Sequence, residues 1–184
     1  TVTLTGSNSS ANLSVSNELE FASSNTGIVD TRTNDRKLTM LLGSTVTRTT
    51  PAEGHIDGLF EWYLGNGNET ALFPLGFGTV YTPVTLTFSG GPSGTSGAIQ
   101  GISYSPIPYP GNRVDPANKV DYYWSVTSPG TFSLGSRSFN TLFEFPSSEL
   151  SGLSMSGGVP DQTYILRKSI PAETPTWQSK DPVD

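Results

Sequence analysis

Residues 59–88 read LFEWYLGNGNETALFPLGFGTVYTPVTLTF. Leu59–Leu64 is a strongly apolar run that ends at Gly65-Asn66-Gly67-Asn68, a hairpin-turn signal, and Ala71–Leu75 continues after it. Val80–Phe88 then alternates, with Val84, Leu86 and Phe88 on one face and Thr85 and Thr87 on the other. A period of two with β-branched and aromatic residues is the mark of a half-buried strand, so this stretch reads as β-sheet. Glu61, between Phe60 and Trp62, is expected to face solvent. Trp62, Phe73, Leu86, Trp124 and Val126 are expected in the core, on facing strands.

The flanks carry the same grammar. Upstream, Thr1–Thr5 alternates with Val2 and Leu4 on one face. Short apolar pulses follow at Leu13, Val15, Leu19 and Phe21, at Ile28-Val29, at Leu38–Leu42 and at Val46. Polar steps such as Asn25-Thr26-Gly27 and Thr33-Asn34-Asp35 separate them. Pulses of this kind suit the coils of a small solenoid, although they keep no strict period, and they suit an ordinary sheet equally. Downstream, Ser89–Gly97 is a Gly/Ser-rich loop. Ser105–Pro116 carries prolines at 106, 108, 110 and 116 and reads as an extended surface segment, since proline lacks the ladder donor. Further strands are expected at Tyr122–Val126, Thr131–Leu134, Thr141–Phe145, Tyr164–Arg167 and Thr176–Gln178. Gly, Pro and β-branched residues interrupt every helical window; the nearest, Ser147–Leu153, offers one turn. The pattern predicts an all-β, β-sandwich or jelly-roll-like fold with many short strands and long Gly/Pro-rich loops. It predicts one domain, 1–184, with a possible division into a short-strand, solenoid-like part at 1–53 and a β-sandwich part at 54–184.

Composition agrees. Only 14% of residues are charged, while Ser and Thr make up about a quarter and there are 20 Gly and 14 Pro. Such a mix also suits disorder, but three Trp, seven Tyr and nine Phe inside alternating patterns supply a core. The absence of cysteine excludes a disulfide or thiolate metal site. A net charge of −6 with scattered basic residues argues against nucleic acid and anionic membranes as partners, and no apolar run is long enough to span a bilayer. The chain opens at Thr1 without a Met or a signal-like segment, which suggests a mature fragment or a unit of a longer chain.

Chemistry-bearing residues are few. The one histidine, His55, stands two residues before Asp57, the spacing of a general base with its orienting carboxylate; the plainer reading is a strand-edge residue before an Asp57-Gly58 bend. No serine-nucleophile motif accompanies it. Glu61 and Glu69 are the pair to test for a glycosidase. Asp30 with Asn34 and Asp35, or Asp115 with Asn118 and Asp121, offers oxygen ligands for calcium, but loop acids more commonly form turns. No metal or cofactor is expected. Trp62, Tyr63, Tyr104, Tyr109 and Trp177 are candidates for a glycan-stacking platform, against plain core filling by those on strands and loop anchoring by the others.

Phe73-Pro74-Leu75-Gly76-Phe77-Gly78 followed by Tyr81-Thr82-Pro83-Val84-Thr85-Leu86 resembles a recurrent segment, F-P-V-G-x-G-x-x-Y-R-P-V-T-L, of large exported cell-surface proteins of Bacteroidota bacteria, with Leu75 for its Val and Thr82 for its Arg. Gly54–Leu59 is similar to the segment before it, Asn12–Leu42 to the strand-and-turn run upstream, and Tyr123-Trp124-Ser125-Val126, Leu166-Arg167 and Trp177 to elements further on. The resemblance implies a repeat or terminal module of a secreted adhesin or fibre-like protein, with no catalytic residues. In physical terms Pro74 ends one strand, Gly76 and Gly78 permit turns and close approach, and Tyr81 and Pro83 set up the next.

The expected function is therefore a structural, non-enzymatic module of an extracellular surface fibre or adhesin. Its partners would be copies of itself or neighbouring domains, with glycans as the alternative ligand. Two segments are candidate assembly contacts. Thr1, Val2, Thr3, Leu4 and Thr5 form an uncharged alternating stretch that could add to a neighbour's sheet or pair within its own domain. Pro106, Pro108, Tyr109 and Pro110 lie on a stiff extended segment that loses little entropy on docking.

Overall fold

The computed structural model describes residues 2–3, 12–21, 27–33, 35–48, 54–105 and 122–146, and four short strand segments beyond them. The candidate residues Thr1, Leu4, Thr5, Asn34, Pro106, Pro108, Tyr109, Pro110, Asp115, Asn118, Asp121 and Trp177, and the segment 147–153, lie outside these. The chain forms two compact units, Thr1–Tyr109 with Val120–Pro146, and Pro110–Lys119 with Ser147–Asp184. All the described secondary structure is β.

The first unit begins with three passes of the chain. The first holds β1 (Val2–Thr3), β2 (Leu13–Val15) and β3 (Glu18–Phe21), and the second β4 (Ile28–Asp30), β5 (Lys37–Met40) and β6 (Thr45–Arg48). The third holds β7 (His55–Asp57), β8 (Leu59–Leu64) and β9 (Thr70–Phe73). The passes stack in parallel: β1, β4 and β7 form one ladder, β2, β5 and β8 a second, β3 and β6 a third, which β9 does not join. The offset is 27 residues from Val2 to Val29 and again from Val29 to Ile56, but 25 from Leu13 to Leu38 and 22 from Leu38 to Phe60. Unequal corners explain why no strict period is visible in the sequence.

After the third pass the pairing changes. β10 (Leu75–Phe77) joins β7 in parallel and β11 (Val80–Tyr81) folds back on it. β12 (Val84–Ser89) pairs antiparallel with β9, and β13 (Gly97–Tyr104) antiparallel with β8. β14 (Tyr123–Thr127) and β15 (Ser138–Phe143) then add antiparallel to β13 and β12. Two five-stranded sheets result, β1-β4-β7-β10-β11 and β14-β13-β8-β5-β2. The third side carries β3-β6 and, beginning beside β6, β9-β12-β15. In the second unit β16 (Met155–Ser156) pairs with β17 (Val159–Pro160) and β18 (Ile165–Leu166) with β19 (Gln178–Ser179), both antiparallel.

The core of the first unit draws on all three sides. Ile56 and Leu75 come from the first sheet, Leu38, Met40, Phe60, Trp62 and Ile99 from the second, and Phe73, Val84, Leu86 and Phe88 from the third. Phe73 is its centre, edge-on to Phe60 at 5.4 Å and 6.1 Å from Trp62. Gly101 on β13 is what lets Phe73 in: a Cβ there would lie 2.9 Å from its Cδ1.

Several sequence expectations need correcting. β8 and β9 do not form a hairpin, because β5 and β13 occupy both edges of β8; Gly65–Asn68 instead turns the chain from one sheet into another. Gly97 is not loop: it opens the eight-residue β13. Leu41 and Leu42 leave the strand and are 40% and 61% exposed at a corner. Thr131–Leu134 contributes only an isolated bridge, Thr95 to Ser133. Val126, on an edge strand, is 36% exposed, while Trp62, Phe73 and Leu86 are buried and Trp124 packs half-buried against them. Val84, Leu86 and Phe88 do share the inward face of β12.

Candidate functional site

His55 and Asp57 project from the same side of β7, two residues apart. Both are directed to the β10–β11 turn. Gly78 donates its N–H to Asp57 Oδ2 at 3.0 Å, and its carbonyl lies 3.1 Å from His55 Nε2. Asp57 Oδ1 meanwhile accepts from Arg32 Nε at 2.7 Å. Arg32 continues to the Ser103 carbonyl at 2.7 Å and lies over the rings of Phe77 and Tyr104. His55 is 1% exposed, on a strand flanked by β4 and β10, so it is not the strand-edge residue its sequence context suggests. The ring occupies the space that a side chain at Gly76 would need. The cluster is a clamp between the third pass and the strands after it. The Asp57-Gly58 bend is present, with Gly58 at φ +128°.

Glu61 is also a correction: it is 3% exposed. Lys37 Nζ at 2.7 Å, Gln100 Nε2 at 2.6 Å and Thr39 Oγ1 at 3.2 Å all donate to its carboxylate. Burial alone would raise its pKa; the bonds from Lys37 and Gln100, the Lys37 charge and the Thr39 hydroxyl outweigh this and hold it below the usual glutamate value. The donors come from the strands on either side, so Glu61 ties β5, β8 and β13 together. Glu69 sits apart from this network, at the Gly65–Asn68 turn, where burial raises its pKa against the opposing pull of Arg137 and a Gly65 backbone bond. A glycosidase pair needs two carboxyls facing one cleft, and Glu61 is enclosed by its donors.

Asp30 closes its own turn, as loop acids do: Oδ1 accepts from the N–H groups of Arg32 and Thr33, and Oδ2 from the Thr33 hydroxyl. The Thr33 hydroxyl contributes most to lowering its pKa. Among the described residues no three His, Cys, Asp or Glu side chains gather as a metal site would need.

The aromatic candidates separate. Trp62 belongs to the core at 7% exposure, whereas Tyr63 stands 43% exposed on the opposite face of β8. Tyr104 stacks on Tyr123, its cross-strand partner, with ring centroids 4.7 Å apart and planes 12° apart. Burial, and Tyr104 beside it, raise the Tyr123 pKa against the opposing Arg32 charge. One face of Tyr104 is thus occupied by a neighbouring ring.

The motif residues hold the frame. Pro74 separates β9 from β10, and its carbonyl accepts the Ile56 N–H at 2.8 Å. Gly78 takes φ +61° in the turn. Thr82, where the resembled segment has Arg, is fully buried; its hydroxyl bonds Ser103 at 3.0 Å and its carbonyl accepts the Trp124 indole N–H at 2.9 Å. Val2–Thr3 pairs with β4 of its own chain.

One open region is strongly apolar. Between the edge strands β14 and β15 runs a groove of about 340 Å³ lined by Leu86, Phe88, Ile99, Val126, Phe132 and Phe139, among others. Phe139 is 48% exposed and Val126 36%. Sequence reading missed the residues that bound this region. Arg137 is buried at 4% and lies against the rings of Phe88 and Phe132. It donates to the carbonyls of Gly65 (3.2 Å) and Gly67 (2.9 Å). The available signal was a lone arginine directly before an apolar strand, in a chain with only ten basic residues. Comparison with protein-family models, curated proteins and solved structures finds no match for this chain.

Proposed function

We propose that this chain is a non-enzymatic structural module of an extracellular bacterial surface fibre or adhesin, built as a short solenoid-like stack that passes into a sandwich-like arrangement of antiparallel strands, and that it assembles head-to-tail through its strand edges. The observation that carries the reading is the apolar groove between β14 and β15, two edge strands with no outer partner among the described residues. Exposed apolar edges are costly in a lone molecule and become productive when another strand covers them. The use of His55, Asp57, Glu61 and Asp30 as structural clamps supports the non-enzymatic side of the proposal. The resemblance of Phe73–Leu86 to exported Bacteroidota surface proteins supports the location. No helix among the described residues is long and apolar enough to cross a membrane.

Electron microscopy of the isolated chain across a concentration series tests the proposal. Filaments built from this chain alone are the expected result. A chain that stays monomeric throughout, and instead binds a sugar specifically and saturably on a glycan array, would replace it with the glycan-binding alternative.

A further inference from the structure

An inward-facing row of residues crosses the second sheet in register: Leu13, Leu38, Phe60, Gly101 and Val126. Its interior is sealed, with Leu38 and Phe60 at 0% exposure and Gly101 buried. Its two ends are not: Leu13 is 42% exposed and Val126 36%. Both point toward the core side, and both lie at what is, among the described residues, the end of the sheet, at β2 on one side and β14 on the other. The two edges also match in direction. β2, β5 and β8 run parallel; β13 reverses and β14 reverses again, so β14 runs the same way as β2. A second copy continuing the stack beyond β14 would present its β2 in parallel, the pairing that joins the passes inside one chain.

Resting on the assembly reading above, we propose that β2 of one copy adds in parallel to β14 of the next, so that Leu13 of the incoming copy lies beside Val126 and covers the mouth of the β14–β15 groove. The occupant is a second copy of this chain, argued from continuity: the row that the three passes share runs on through β13 and β14, and the parallel pairing of the passes resumes across the junction. The two faces are different patches of one surface, so the contact does not close on itself and propagates as a filament.

The absence of cysteine makes the test direct. Adjacent strands lie about 4.8 Å apart, within the about 4.4–6.8 Å Cα separation that a disulfide spans. Leu13→Cys and Val126→Cys are made as separate chains, with Leu142→Cys as control, since Leu142 is 57% exposed and pairs with Thr85, off the inward row. Circular dichroism first establishes that each variant is folded. On mild oxidation, a mixture of Leu13→Cys and Val126→Cys chains should give a covalent dimer that neither gives alone, and the Leu13→Cys/Val126→Cys double variant should give a ladder of covalent multimers. Leu13→Cys mixed with Leu142→Cys should give no such dimer. Filaments by microscopy without the 13–126 cross-link would overturn this interface and leave the assembly reading standing. Monomer throughout in sedimentation velocity, with no cross-link, would overturn both.

Discussion

Gly76→Ala adds one methyl group at the most constrained contact of the His55 clamp. The new Cβ would lie 2.0 Å from His55 Cδ2 and 2.5 Å from both Cγ and Nε2. The ring has little room to move: it is 1% exposed, Nε2 is engaged by the Gly78 carbonyl, and Tyr81 packs beside it at 6.4 Å. Overpacking of this kind costs about 1–3 kcal/mol. Replacing glycine by alanine also restricts the unfolded chain, which returns about 0.4–1 kcal/mol, so the net loss should fall within about 0–2.6 kcal/mol, toward the upper end because the ring is held. The same substitution in a His55→Ala background meets no ring, and there only the unfolded-state gain remains. Gly76→Ala should then be neutral or stabilising by up to about 1 kcal/mol. Urea unfolding followed by tryptophan fluorescence measures all four corners of this cycle, with Trp62 in the core and Trp124 packed against it as reporters. An equal cost of Gly76→Ala in both backgrounds would refute the argument, since the clash would then not be with His55.

Leu86, 2% exposed on the inward face of β12, should lose about 2–5 kcal/mol on truncation to Ala, measured by the same unfolding assay; a loss below about 0.5 kcal/mol would mean that the faces of β12 are reversed. Arg137→Met should cost at least about 2 kcal/mol, because the carbonyls of Gly65 and Gly67 lose a charged donor, and Arg137→Lys should recover little of it, since a single ammonium cannot reproduce the fork of a guanidinium. Glu69 has a raised pKa in the folded state, so the fold binds its proton more tightly than the unfolded chain does; that stabilisation is complete below the ordinary value of 4.5 and lost as pH rises through the raised value. Glu69→Gln should therefore have a higher Tm than the parent at pH 7, with the difference shrinking as pH falls through the raised value and gone below 4.5, and a difference that does not change with pH would contradict the assignment. A chelator should leave the Tm unchanged; a large fall would point to a calcium site.

The all-β character was legible in the residues themselves, because alternation reports a half-buried pleated surface wherever it occurs. The inward set Val84, Leu86 and Phe88 could be read that way, as could the strand end at Pro74 and the close approach at Gly76. These are local properties, set by steric limits within a few residues. Which strands pair, and in which direction, is not local. The pulses at Leu13, Leu38 and Leu59 carry no mark that they stack in parallel, since the corners between them differ in length and nothing in a single strand names its neighbour. β13 carries no strand reading in the sequence beyond the Gly97 loop end, and Gly97 and Gly101 weaken its strand propensity; only packing gives the reason for Gly101, the approach of Phe73 across the core. Glu61 was read as solvent-facing from its apolar neighbours. Its burial depends on Lys37, Thr39 and Gln100, which reach it from the strands on either side, and burying a carboxylate is tolerable only where donors from elsewhere in the chain converge on it. The exposure of Leu13 and Val126 is likewise a tertiary fact: each is an ordinary inward strand residue on a strand that, among the described residues, lies at the end of its sheet.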